Sequence, residues 1–65
     1  MEFVYVLFSD ESEWEDMIII LSKEEAINAS INHPNHRVEI FTKNDTCGYK
    51  PTYNYYKNGE FIHNS

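Results

Sequence analysis

The chain has 65 residues, 42% of them hydrophobic, ten aromatic side chains, a single cysteine and a net charge of −6. These figures exclude an intrachain disulfide, a disordered tail and, with only five Lys and Arg, the clustered basic surface on which phosphate-backbone binding depends. A domain this short buries only about 60% of the surface its unfolded chain exposes, so its stability is thin unless metal, self-association or a very good core adds to it.

The first predicted element is a strand over residues 3–8, where Phe3-Val4-Tyr5-Val6-Leu7-Phe8 is apolar at both parities. Such a run is expected at the centre of a sheet with both faces covered. The opening residues lack the basic region and small-residue cleavage site of a secretory leader, and no apolar run approaches the roughly 20 residues of a membrane span. An intracellular protein, neither secreted nor membrane-bound, is therefore expected.

A polar, acidic connection over residues 9–13 leads into a second apolar run, Trp14 to Leu21, densest at Met17-Ile18-Ile19-Ile20-Leu21. Two such runs about a turn predict a hairpin. Ser22-Lys23-Glu24-Glu25 has the spacing of a capping box, so a helix is predicted to start there, with Ala26, Ile27, Ser30 and Ile31 as a narrow inner stripe. Pro34 stops it after about three turns. Arg37-Val38-Glu39-Ile40-Phe41 alternates as a half-buried strand does. A turn-forming loop over residues 43–51 follows, then Thr52 to Tyr56 and Glu60 to His63 about Asn58-Gly59, the strongest short hairpin signal.

The predicted fold is one small α+β domain over residues 1–65, an antiparallel sheet of about five strands in the order β-β-α-β-β-β with one helix packed on one face. A right-handed crossover sets the spatial order 2-1-3-4-5. This leaves the second strand at an edge with Ile18, Ile19 and Ile20 insufficiently covered, a liability unless another chain covers it.

Four groups of residues invite a functional reading. His33, His36, His63 and Cys47 are zinc-compatible types, but only His33 and His36 are closely spaced, so surface histidines are the simpler reading and no metal or cofactor is implied. Cys47 with His63 has neither an orienting third group nor room for a substrate pocket, which argues against catalysis. Residues 10–16 hold Asp10, Glu11, Glu13, Glu15 and Asp16 around Trp14 without the glycine of a calcium loop. They read either as a solubilising face with Trp14 closing the core, or as an acidic surface with Trp14 as anchor for a basic partner. In the tyrosine-rich segment, Tyr53 and Tyr55 are expected on one face and Tyr56 on the other beside Asn54, for cross-strand packing or for binding protein.

Taken together, Tyr5-Val6-Leu7-Phe8-Ser9-Asp10-Glu11, Arg37-Val38-Glu39-Ile40-Phe41 and Tyr53-Asn54-Tyr55-Tyr56-Lys57-Asn58-Gly59 give a chain that resembles the small uncharacterised proteins of large DNA viruses of amoebae, of the Marseillevirus type. The resemblance includes no motif of known mechanism. It implies a viral protein of the infected host cell, a candidate for packaging in the virion. The functional expectation is a non-catalytic protein, a homodimer or other homo-oligomer, acting through protein–protein contacts at Trp14, Ile18, Ile20, Tyr53 and Tyr55. The alternative is an acidic adaptor or decoy that uses Glu11 and Glu13 of the acidic segment. Neither reading involves direct contact with nucleic acid or membrane.

Overall fold

The computed structural model of the chain describes residues 2–63. Its elements are β1 (Phe3–Phe8), a 3-10 turn (Trp14–Asp16), β2 (Ile18–Ile20), α1 (Lys23–Asn32), β3 (Arg37–Lys43), β4 (Tyr49–Lys57) and β5 (Glu60–Ile62). The strands form one antiparallel sheet in the order β2-β1-β3-β4-β5, as the crossover argument requires.

The helix begins where the capping signal places it. Ser22 Oγ accepts from the Glu25 amide at 3.4 Å, and Glu24 and Glu25 occupy the positive end of the dipole. At the other end the His33 amide donates to the Ala29 carbonyl before Pro34 stops the chain. Its buried side is made of small residues, Ala26 and Ser30, which lets the helix lie close to the sheet over Tyr5, Leu7, Ile20, Val38, Ile40 and Tyr56. Ile27 and Ala29 pack on the margin of this core, whereas Ile31, expected within the stripe, is half exposed.

Ser30 is fully buried and fully used. Its hydroxyl donates to the Ile27 carbonyl at 2.7 Å and accepts from the Gly59 amide at 2.9 Å, tying the helix to the turn between β4 and β5. Gly59 has φ +82°, so this turn needs glycine for its conformation, and a Cβ there would lie 2.9 Å from Ile31 Cγ1, so that the exposed Ile31 side chain would have to shift.

Three expectations are corrected. First, the second apolar run is not a strand from Trp14: only Ile18–Ile20 pair, with Leu7, Val6 and Tyr5 of β1, while Trp14 opens a short 3-10 turn. Second, β1 is not covered on both faces. Tyr5 and Leu7 lie under the helix, but Val4, Val6 and Phe8 share the opposite face with Phe41, Glu39 and Arg37, and no second layer of the described residues covers them. Their partial burial comes from neighbours in the sheet, as where the Arg37 guanidinium sits 4.8 Å from the Phe8 ring centre.

Third, Tyr53 and Tyr55 do not share a regular strand face. Tyr55 pairs with Glu39 and Pro51 with Phe41, so β4 spends three residues, Thr52, Tyr53 and Asn54, opposite Ile40 alone. The Thr52 hydroxyl donates to the Ile40 carbonyl at 2.8 Å and accepts from the Asn54 amide at 3.1 Å, and Tyr53 takes φ +68°. The bulge interrupts the ladder between Pro51 and Tyr55, which stay on one face, and Tyr53 within it is exposed. β4 also starts earlier than predicted, at Tyr49, taking in Pro51; β5 pairs only with residues 55–57, so the proline lies where β4 has no strand on its outer side.

Candidate interaction surface

β2 follows the acidic segment and borders the sheet, so its outer backbone groups have no strand partner among the described residues. Alternation places Ile18 and Ile20 on the same helix-side face, opposite Leu7 and Tyr5, but only Ile20 is buried in the core while Ile18 stays exposed, against the expectation that the two would share an interaction surface. Ile18 and Ile19 stay 53% and 69% exposed, and their neighbours Leu21 and Trp14 reach 76% and 89%. Four large apolar side chains within eight residues of sequence thus line one edge of the molecule. Scattered exposed apolar residues are ordinary, but a set grouped in sequence about an open edge strand is a liability that calls for an explanation.

The acidic segment is divided by its local bonds. The Ser9 amide donates to Ser12 Oγ at 2.9 Å and the Ser12 amide to the Ser9 carbonyl at 3.0 Å, forming a tight turn. Asp10, though exposed, accepts from Arg37 Nη1 at 2.8 Å, while Glu39 accepts from Arg37 Nε at the same distance. Burial works against the Arg37 charge, but the bonds to Asp10 and Glu39 outweigh it and its pKa is raised. Asp16 accepts from the Glu13 amide at 3.2 Å and so closes the 3-10 turn. Glu11, Glu13 and Glu15 are left exposed around Trp14, with no carboxylate ion pair among the described residues. The reading in which Trp14 closes the core is overturned, because residues 14–16 turn outward before the chain reaches the sheet.

On the uncovered sheet face, Ile19, Val6, Glu39, Tyr55 and Ile62 form one cross-strand row, flanked by Val4 and Phe41 on one side and Phe8 and Arg37 on the other. Ile19 belongs to both this face and the β2 edge, so the two apolar surfaces are continuous. Tyr55 is part of this face, whereas Tyr53 lies within the bulge and outside the ladder. No periodic signal in the sequence marks the face as open, because half-exposed Val and Phe read the same as buried ones.

The histidines and the cysteine are not gathered. The His33 and His36 rings lie 5.5 Å apart, His63 stacks on Phe61, and Cys47 is exposed in the loop between β3 and β4. Among the described residues no three His, Cys, Asp or Glu side chains are grouped to hold a metal ion, and no helix is long and apolar enough to cross a membrane. Comparison with family models, curated proteins and solved structures found no match to the chain.

Proposed function

We propose that the chain is a non-catalytic interaction protein that self-associates by antiparallel pairing of β2 with β2 of a second copy. The observation that carries this reading is the exposure of Ile18 and Ile19 on the unpaired edge strand β2, flanked in sequence by exposed Leu21 and by Trp14 of the preceding 3-10 turn. Residues 17–21 carry no charge, so two copies can approach without opposing like charges. A two-fold register centred on Ile19 sets Ile18 against the partner's Ile20 and Met17 against the partner's Leu21, and it keeps the two acidic segments at opposite ends. A parallel register would bring those segments side by side. Three paired residues alone bury too little for a stable dimer, which needs about 1,200–2,000 Å² in total, so Trp14, Leu21 and the adjoining open face must contribute. The viral setting rests on the sequence resemblance alone.

Sedimentation across a dilution series tests the reading, with wild type beside Ile19→Lys. A dimer that dissociates on dilution, and a folded monomer for the variant, are expected. A compact wild-type monomer at hundreds of micromolar, unchanged on dilution, would overturn it.

The exposure of Trp14 among Glu11, Glu13 and Glu15 supports a second reading, an acidic adaptor or decoy for a basic protein. Changing the three glutamates to Gln abolishes capture of such a partner and leaves a β2-mediated dimer intact; capture that survives the change removes this reading.

A further inference from the structure

A three-turn helix is too narrow to roof five strands, and beside it the helix side of the sheet holds a half-open cleft of about 280 Å³. Phe3, Tyr5, Ile40, Tyr56 and Phe61 give it an apolar lining, completed by Thr52 and Asn54 of the β4 bulge and by Lys23 from the first turn of the helix. Two features separate it from a plain apolar hollow. Tyr5 lines the cleft and is only 7% exposed, yet its hydroxyl has no hydrogen-bond partner among the described residues. Lys23 has no carboxylate within ion-pair distance among the described residues, although acids outnumber bases in the chain by eleven to five.

We propose that this cleft binds a small amphipathic monoanion, a medium-chain or aryl carboxylate, with its apolar body against Tyr5, Ile40, Tyr56 and Phe61 and its carboxylate at Lys23 and the Tyr5 hydroxyl. The chemistry selects the class. Apolar walls with one or two convergent polar groups suit a ligand of about ten non-hydrogen atoms. One ammonium and one neutral phenol match a single negative charge, whereas a phosphate dianion calls for an Arg fork or a nest of amides. Burial, with Tyr56 adding and Lys23 opposing, holds the Tyr5 phenol above its ordinary pKa, so it remains a donor at neutral pH. The cleft lies over β1, β3, β4 and β5 and includes no residue of β2, so the inference stands apart from the proposed self-association.

Amide NMR of the full chain, titrated with sodium octanoate and separately with the neutral isostere 1-octanol, tests it. Octanoate is expected to give saturable shifts centred on Tyr5, Lys23, Ile40 and Phe61, at high-micromolar to millimolar affinity. Lys23→Gln weakens octanoate at least fivefold and leaves octanol unchanged. Lys43→Gln, the same charge change on the opposite sheet face, alters neither. Absence of saturable shifts, or equal binding of acid and alcohol that ignores Lys23→Gln, overturns the proposal.

Discussion

The two edges of the sheet are both three-residue strands, and the chain treats them differently. β5 is the return arm of a tight hairpin, begins with Glu60 opposite Lys57, and is pinned through Gly59 to Ser30 of the helix. β2 is three isoleucines between Met17 and Leu21, with no charge, proline or bulge to discourage a neighbour. Short length, inward charge and covering elements are the usual protection of an edge strand. β5 adds to its short length a charged residue, Glu60 opposite Lys57, and a tie from its turn to the helix, whereas β2 has the short length alone and no charge, so the β5 end is the more finished border and the β2 end the more open one.

Mutations should break the comparison in graded fashion. The largest effect is expected at the finished border. Gly59→Val forces a branched side chain into φ +82° and against Ile31, and should lower stability by about 2–3 kcal/mol in urea unfolding. Gly48→Val, at φ +66° with open space around it, should cost visibly less and serves as the control for backbone strain alone. Ser30→Ala leaves the Gly59 amide without its acceptor and should cost about 1–2 kcal/mol, detectable as a lower urea midpoint at unchanged slope.

Alkaline titration sharpens the picture at the centre of the sheet. The folded state holds the Tyr5 proton more tightly than the unfolded chain does. That contribution is complete below the unfolded phenol pKa of about 10 and is lost as pH rises through the higher folded value, so stability falls over this window. Tyr5→Phe should remove this part of the fall while leaving the share of Tyr49, whose pKa is raised by its hydrogen bond to Glu2, which unfolding curves at successive pH values between about 9 and 11.5 would resolve. At the open border the smallest change is expected. Ile19→Lys should move monomer stability by no more than about 0.5 kcal/mol, because the side chain is mostly solvated already, and a larger loss would mean that β2 is part of the core after all.

Much of this architecture was legible in the sequence because local signals and topology agreed. The Ser22 cap, the stop at Pro34, the Asn58-Gly59 turn and the right-handed crossover each have a short-range or geometric cause. The bulge at Thr52–Asn54 was not legible: no glycine marks it, and it exists because a threonine side chain replaces a ladder bond by reaching the Ile40 carbonyl. The open sheet face was also hidden. A run such as Val4, Val6 and Phe8 announces low affinity for water but does not reveal whether this same chain supplies a lid. Of the anticipated contact residues, Trp14 and Ile18 are on the surface, Ile20 is inside, and Tyr53 and Tyr55 are parted by the bulge.

The central position of β1 has a consequence for biosynthesis. β1 has neighbours from two places in the chain, residues 18–20 and residues 37–43, and the second of these arrives only after the helix has been made. A nascent chain ending near Pro34 can fold its first hairpin and its helix, but the hairpin then has two bare flanks instead of one. Partly made domains with unpaired strands are prone to premature clumping. Prompt delivery of β3 therefore decides whether newly made copies mature singly before they meet.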